Sequence, residues 1–395
     1  MVGRRWGLAA AVVCGLSGCT DGVEDLLGID VYFVKLEAEP AKVAAVATSL
    51  ADDFGVDIIH TYDSASEGFS AKLPRLLIPE IEGLDEVAYV AEDERAPRLP
   101  PDEKTPKVIE LLDGDEVPFS IQRVGGAYGG SLSGIEVAVI DSGIDGDHPD
   151  LNVVASEDFV AMSGGTPARN GDLNGHGTHC AGTIGAIDNG EGVMGVAPGV
   201  ALHGVRVLDE NGSGYWTDIV AGLEYVMDHP EIRVVNMSLG GPAFPAGTED
   251  PMEEAIRRLE ASGVVVVIAA GNETQDTANV APAGYDLGLV VSAYDNVGGS
   301  DNGFAWFSNY GDAVDIAAPG VDIPSTYPGG AYAELSGTSM ATPLVAGAVA
   351  AYFAEHPRAT GEEAIAAVIA TGEDGYADQK GRHLEPLIDI EALLQ

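Results

Sequence analysis

The stretch EVAVIDSG, Glu136–Gly143, is a run of β-branched and small apolar residues that ends in an aspartate and a glycine. Unbroken runs of this kind are typical of strands that are buried on both faces of a parallel sheet. Similar runs follow it, and segments with helical spacing separate them. The alternation predicts an α/β fold with a doubly wound, mostly parallel sheet over residues 117–395. The strand-like runs are VVNMSLG (234–240), GVVVVIAAGN (263–272) and LGLVVSAYD (287–295), and the helical segments are GTHCAGTIGA (177–186), WTDIVAGLEYVMDH (216–229) and PMEEAIRRLEASG (251–263).

A second, smaller unit precedes this region. Residues 31–93 contain segments that predict strand, helix, strand, strand, helix and strand in that order, which is the order of a ferredoxin-like α+β domain. Its first helical segment, PAKVAAVATSLADDFG (40–55), has a proline near the start and a glycine at the end. Residues 94–116 are rich in proline and charge, and they predict an exposed linker.

The composition is strongly acidic, with 19 lysines and arginines against 63 aspartates and glutamates and a formal net charge of −44. A nucleic-acid partner is therefore not expected, because phosphate binding requires clustered basic residues. The charge indicates a soluble acidic surface, with cation binding or adaptation to high salt as alternatives. The three cysteines are Cys14, Cys19 and Cys180, and they do not indicate a disulfide framework.

The first residues predict an export signal. Two arginines precede an apolar stretch, Trp6–Leu16, that is too short to cross a bilayer. The following LSGC, Leu16–Cys19, resembles the bacterial lipobox, which implies cleavage before Cys19 and a lipid on its thiol. The prediction is a signal peptide over residues 1–18, a tether over 19–30, and an exported lipoprotein at the cell surface or on the periplasmic side. An ordinary secretory signal is the alternative.

Three residue types needed for acyl transfer occur where the predicted elements end or begin. Asp141 ends a strand, His176 stands in NGHGTHCAG, and Ser339 stands in GTSMATP before a long apolar helix. A serine hydroxyl becomes a nucleophile when a histidine takes its proton and a carboxylate orients that histidine. A serine at a helix start is also a common capping residue, so Ser339 alone does not decide between the two roles.

The motifs VIDSGID, GHGTHCAG and GTSMATPLVAG, with NMSLGG and AAGNE between them, resemble those of the subtilisin-like serine peptidases from about residue 117 to the end. The resemblance implies that Ser339 is the nucleophile, His176 the general base and Asp141 the orienting carboxylate. It further implies that Asn272 and the Ser339 N–H stabilise the oxyanion. His179, three residues after His176, is read as a supporting residue.

The same resemblance implies where an extended substrate binds. Ser238, Leu239 and Gly240 correspond to the strand edge that pairs with the substrate, and Glu273 is expected near the rim of the specificity pocket. Residues 31–93 correspond to the propeptide of the family, which assists folding and then inhibits, with its last strand and tail in the active-site cleft. The start of the mature domain is expected within 94–117.

A structural calcium ion is the last feature that the resemblance implies. Its expected ligands are Asp150 and the loop AIDNGEGV, through Ile187, Asn189, Glu191 and Val193. Alternate residues of a tight loop can direct carbonyl and side-chain oxygens inward, as a hard cation requires. A turn that holds no metal is the alternative for this loop.

The sequence therefore predicts an exported, lipid-tethered serine endopeptidase that acts on peptides or proteins and is made as an inhibited precursor. A peptide ligase or cyclase of the same fold is an alternative, because it would use the same acyl-enzyme with an amine in place of water. A non-catalytic surface binding protein is a third alternative, and the intact set of three residues argues against it.

Overall fold

The computed structural model of the protein describes residues 28–93, 95–96, 106–110, 116–168, 171–242, 250–297, 303–374 and 381–395. The predicted signal peptide and Cys19 lie outside the described residues. The strands are β1 (Ile29–Leu36), β2 (Ile58–Tyr62), β3 (Gly68–Pro74), β4 (Val87–Glu92), β5 (Arg95–Ala96), β6 (Lys107–Ile109), β7 (Glu136–Asp141), β8 (Val153–Asp158), β9 (Ala201–Arg206), β10 (Gly214–Tyr215), β11 (Ile232–Met237), β12 (Gly241–Pro242), β13 (Val265–Ala269), β14 (Val280–Ala281), β15 (Leu289–Asp295), β16 (Gly303–Phe304), β17 (Ile316–Pro319), β18 (Ile323–Tyr327) and β19 (Ala331–Leu335). The α-helices are α1 (Val43–Phe54), α2 (Ile78–Ile81), α3 (Phe119–Arg123), α4 (Phe159–Met162), α5 (His176–Gly185), α6 (Trp216–Asp228), α7 (Pro251–Ser262), α8 (Thr338–Glu355), α9 (Gly361–Thr371) and α10 (Ile390–Leu393).

The N-terminal unit contains β1–β4 with α1 and α2. Its antiparallel sheet has the order β2-β3-β1-β4, and the predicted succession of elements is confirmed. Helix α1 ends at Gly55, whose φ of 66° is a left-handed conformation that glycine adopts without strain. The second helical segment differs from the expectation of one helix, because a 3-10 turn over Arg75–Leu77 precedes the single turn of α2.

The large unit is built on a sheet of order β16-β15-β13-β11-β7-β9-β8, with β17 beside β15. The pairs are parallel except β15 with β16, so the predicted doubly wound, mostly parallel sheet is confirmed. Helices α5 and α8 pack in the core on one face, and α6 and α7 pack on the other. Both faces are covered, which explains the unbroken apolar runs in the strands.

The carboxyl edge of the sheet brings the ends of distant elements together. Strand β7 ends at Asp141, and α5 begins at His176 directly against it. A Cβ atom on Gly177 would lie 2.1 Å from the carbonyl oxygen of Gly143, so only glycine allows this approach. Helix α8 is buried almost along its whole length, which accounts for apolar residues on all of its sides.

The predicted linker over residues 94–116 contains two short strands. Strand β5 pairs antiparallel with β10, and β6 pairs antiparallel with β19. Strand β19 leads through Ser336 and Gly337 into the start of α8. The chain after the N-terminal unit is therefore held on the large unit by backbone hydrogen bonds at two places.

Candidate active site

Asp141 and His176 form a buried pair at the carboxyl edge of the sheet. The Nδ1 atom of His176 lies 2.8 and 2.9 Å from the two carboxylate oxygens of Asp141. Asp141 has no exposed surface, and His176 is 3% exposed. The Nε2 atom of His176 has no hydrogen-bond partner among the residues that the structure describes. The ring is thus oriented by a carboxylate on one nitrogen, while its other nitrogen is available to a reacting group.

The charge of Asp141 controls the ionisation of this ring. Burial by itself would lower the pKa of His176, but the adjacent carboxylate outweighs it and raises the pKa well above its usual value. Cys180 lies one helical turn further along α5, with Sγ 4.0 Å from His176 Nδ1 and 3.4 Å from the carbonyl oxygen of Ser339. Burial raises the pKa of the Cys180 thiol, so the neutral form is favoured.

Ser339 is the second residue of α8 and is 3% exposed. Its Oγ donates to the carbonyl oxygen of Ser238 over 3.3 Å, and its own carbonyl oxygen accepts from Ser238 Oγ at 2.9 Å. These contacts join the start of α8 to the end of β11. The N–H groups in the first turn of α8 have no partners within the helix, so this helix end favours negative charge.

Asn272 lies beside the same helix start. Its side-chain oxygen accepts from the N–H of Thr338 at 2.8 Å and from Thr338 Oγ1 at 3.0 Å. With the oxygen fixed in this way, the amide nitrogen of Asn272 is directed to the opposite side. Thr338 thus holds the side chain of Asn272, a contact that the sequence does not indicate, because threonine next to a serine carries no distinctive signal.

The predicted substrate-binding residues lie close to this group. Leu239 is buried, and a Cβ atom on Gly240 would meet the carbonyl oxygen of Ala281 at 3.0 Å. Glu273 is exposed, but its carboxylate also accepts from the side-chain amide of Asn309 at 2.7 Å. Glu273 is therefore fixed to the loop beneath it rather than surrounded by solvent alone.

The structure also brings together the residues predicted to bind calcium. Asp150 is buried, and its two carboxylate oxygens accept from Asn189 Nδ2 at 3.0 Å and from the N–H of Val193 at 3.1 Å. The N–H of Ile187 donates to the carbonyl oxygen of Asp150 over 3.0 Å. Glu191 is exposed on the outer side of the same loop.

His179 has a structural role within α5. Its Nε2 atom lies 2.9 Å from the carbonyl oxygen of Ile323 and 3.1 Å from that of Ala333. Burial lowers the pKa of His179 to about 3, so the ring is neutral and donates from this nitrogen. These contacts tie α5 to strands β18 and β19.

A second group of histidine, aspartate and serine lies between the two units. His60 Nε2 is 2.7 Å from Asp218 Oδ1 and 3.3 Å from Ser163 Oγ, and the serine hydroxyl donates to that same carboxylate. Asp218 and Ser163 therefore both contact the same nitrogen of the His60 ring, Nε2. A relay needs the carboxylate on one nitrogen and the serine on the other, so this group has the wrong connectivity for nucleophilic catalysis.

The two units are joined by ion pairs, Lys35 with Glu254 and Arg258 with Glu67, and by carboxylates that accept backbone N–H groups. Asp93, after β4, accepts from the N–H groups of Trp216 and Thr217 at 3.0 and 3.1 Å, and so caps α6. Glu224, within α6, accepts from the N–H groups of residues 63–65 over 2.5–2.9 Å. Nothing in the sequence marks Asp93 and Glu224, because a single acidic residue among 63 gives no signal of its partner.

Comparison with known proteins identifies the family of both units. A family model described as the subtilase family matches residues 133–384, and one described as peptidase inhibitor I9 matches residues 31–97. Subtilisin NAT of Bacillus subtilis subsp. natto is 38% identical over 333 residues, which cover 82% of this chain and 80% of that protein. Subtilisin Savinase of Lederbergia lenta is 45% identical over 245 residues, which cover 61% of this chain and 86% of that protein. A solved structure, described as a cold adapted subtilisin-like serine proteinase, is 32% identical with a TM-score of 0.59 and covers 68% of this chain and 97% of its own.

The fold and the site define a serine endopeptidase that is made with an inhibitory propeptide domain. The chain belongs to the subtilase family. The predicted family, fold class and activity are confirmed, as is inhibition by the chain's own propeptide. Within the described part of the chain, no helix combines the length and the apolar character that crossing a bilayer would need.

The buried carboxyl group of Asp93 makes the stability of the precursor depend on pH. Burial raises the pKa of Asp93 to about 7 in the assembled precursor, whereas a free aspartate has a pKa of about 4. Between these values the docked state holds a proton that the undocked state releases. The contribution of Asp93 to stability is therefore largest at low pH, and it falls as the pH rises from about 4 to about 7. Relative to Asp93→Asn in the same background, the inactive Ser339→Ala precursor should lose about 1 kcal/mol of unfolding free energy per pH unit between pH 5 and 7.

Urea unfolding at a series of pH values measures this difference. Asp53→Asn is the matched control, because Asp53 is an exposed aspartate of the same unit. Its profile should run parallel to that of the parent. If the Asp93→Asn profile were also parallel to the parent, the carboxylate of Asp93 would not be responsible for the pH dependence.

Proposed function

We propose that Asp141, His176 and Ser339 form the catalytic triad of this endopeptidase. The observation that carries the proposal is the buried contact of Asp141 with His176 Nδ1, which leaves Nε2 as the base. In this role Nε2 removes the proton from Ser339 Oγ as the oxygen attacks the carbonyl carbon of the peptide. The imidazolium then gives that proton to the leaving amine, and water cleaves the acyl-enzyme by the same steps in reverse.

Two donors would stabilise the oxyanion that forms in each step. The side-chain amide of Asn272 is held by Thr338, so it needs no reorientation when negative charge develops. The N–H of Ser339 lies in the first turn of α8, where the helix dipole adds positive potential. Removal of one such donor typically costs on the order of 10² to 10³ in kcat.

The residues Ser238–Gly240 would pair with an extended substrate by backbone hydrogen bonds. The propeptide provides a precedent within this chain, because β5 already forms an antiparallel pair with β10 of the large unit. Glu273 would stand at the rim of the specificity pocket. Its bond to Asn309 would hold the carboxylate in one position, which favours basic substrate residues.

Ser339→Ala should abolish peptide hydrolysis, with a loss of about 10⁶ in kcat, because no other hydroxyl can replace the nucleophile. The precursor should accumulate unprocessed if propeptide removal is self-catalysed. Fluorogenic peptide turnover and the mass of the purified chain measure the two effects.

Ser163→Ala is the matched control for Ser339→Ala, since Ser163 is the serine of the other histidine–aspartate group. Its turnover should stay within about threefold of the parent, because neither its hydroxyl nor His60 reaches the proposed nucleophile. Loss of activity in Ser163→Ala with retention in Ser339→Ala would reverse the assignment.

We also propose a structural calcium site at Asp150, Ile187, Asn189, Glu191 and Val193. Subtilisins generally bind structural calcium. The donor set fits a hard cation, because every one of these residues offers oxygen. The buried Asp150 carboxylate faces the loop, and the Asn189 amide would turn to present its oxygen in place of Nδ2.

Calcium should raise the melting temperature of the Ser339→Ala precursor, and a chelator should lower it. Binding to the folded state alone adds about 2.7 kcal/mol at a hundred times the dissociation constant. Asp150→Asn should remove the calcium-dependent shift. Asp188→Asn, in the same loop but outside the proposed ligand set, should keep it. An equal shift in both variants would place the ion elsewhere.

We propose in addition that the protein is exported and carries a lipid on Cys19. Subtilisins are typically extracellular, and LSGC at residues 16–19 resembles the lipobox. Stable tethering needs more than one acyl chain, since a single chain binds membranes only marginally.

Cys19→Ala should move the protein from the detergent phase to the aqueous phase in a detergent partition of expressing cells. Cys14→Ala is the matched control, because Cys14 lies within the apolar part of the same signal. It should partition as the parent does. Detergent partitioning that Cys19→Ala leaves unchanged would remove the lipid from the proposal.

A further inference from the structure

A cluster of metal-ligating side chains lies at the edge of the sheet opposite the active site. We name it the His203 cluster, and it consists of Glu136, His203 and Glu231. Glu136 begins β7, whose other end is Asp141, and Glu231 immediately precedes the neighbouring strand β11. The ligand atoms of the three side chains all lie within 4.8 Å of one another.

The imidazole of His203 is fixed with one nitrogen toward the carboxylates. His203 is 3% exposed, its Nδ1 lies 2.9 Å from the hydroxyl of Tyr225, and its Nε2 lies 2.5 Å from Glu136 Oε2. A neutral ring satisfies both contacts when Nε2–H donates to Glu136 and the Tyr225 hydroxyl donates to Nδ1. A metal ion that displaces the Nε2 proton would be bound by Nε2 and by the carboxylates, with Nδ1–H then donating to Tyr225.

The surroundings of the cluster are short of positive charge. Within the described part of the chain, neither lysine nor arginine forms an ion pair with Glu136 or Glu231, and Glu136 pairs with His203. Two carboxylates beside a buried imidazole, without a lysine or arginine to balance their charge, favour a cation.

The donor types indicate the class of cation. An imidazole nitrogen with carboxylate oxygens suits first-row divalent transition metals, whereas calcium prefers oxygen ligands alone. Glu231 is exposed, so solvent can complete the coordination. We propose that Glu136, His203 and Glu231 form a binding site for such an ion, with Zn²⁺ as the expected occupant. The ion would join the amino ends of β7, β9 and β11 without taking part in hydrolysis.

Zinc titration of the full chain tests the site. All variants are made in a chain that carries Ser339→Ala, which prevents self-digestion, and Cys180→Val, which prevents zinc binding by the thiol beside His176. Calcium is present at a saturating concentration. Calorimetry should show one Zn²⁺ per chain and a rise in melting temperature. His203→Gln should weaken the binding at least a hundredfold, and Tyr225→Phe should weaken it by about tenfold by releasing the ring.

The remaining variants separate this site from diffuse binding to an acidic surface. Glu231→Gln changes an exposed side chain, so it keeps the test valid even where His203→Gln fails to fold, and it should weaken binding at least tenfold. His229→Gln is the matched control, because its ring lies 5.9 Å from that of His203 but belongs to no ligand set. It should bind as the background does. Absence of stoichiometric zinc binding, or binding that Glu231→Gln leaves unchanged, would overturn the proposal.

Discussion

The contact between Asp141 and His176 is the constraint on which the active-site region is built. Both side chains are withdrawn from water, so the carboxylate acts on the ring across a medium of low polarity and sets its orientation and pKa. The contact requires the start of α5 to lie against the end of β7. Gly143, with φ of 98°, and Gly177 allow this approach, because a side chain at either position would collide with backbone. The start of α8 packs against α5, where the carbonyl oxygen of Ser339 lies 3.4 Å from Cys180 Sγ.

The propeptide binds the large unit through contacts of a different kind. Asp93 caps the N-terminus of α6, and Glu224 of that helix accepts three N–H groups from the propeptide turn after β2. At these two places a carboxylate of one unit accepts backbone N–H groups of the other, because N–H groups and helix termini supply positive potential without a charged side chain. Elsewhere in the interface Lys35 pairs with Glu254, and Arg258 pairs with Glu67. Strand β5 pairs with β10 of the large unit by backbone hydrogen bonds.

Acidic residues in this protein therefore have distinct roles according to their surroundings. Asp141 contacts a buried imidazole, Asp93 caps a helix, and Asp150 accepts from the loop of Asn189 and Val193. Glu136 and Glu231 surround an imidazole that Tyr225 fixes from behind. The carboxylate is the same group in every case. Its partner, an imidazole in one place and a backbone N–H in another, decides what it does.

The sequence by itself determined the class of the sheet, the succession of elements in the N-terminal unit and the three residues proposed as the triad. Period and β-branching report burial on both faces, and motifs such as VIDSGID, GHGTHCAG and GTSMATP carry their meaning in adjacent residues. Only the tertiary structure decided how Thr338 holds Asn272, which acidic residues join the propeptide to α6, and that His60 has the wrong connectivity for a triad. It also placed His203 beside Glu136 and Glu231. Each of these depends on side chains far apart in the chain, and their distance and direction follow from packing, which local spacing does not encode.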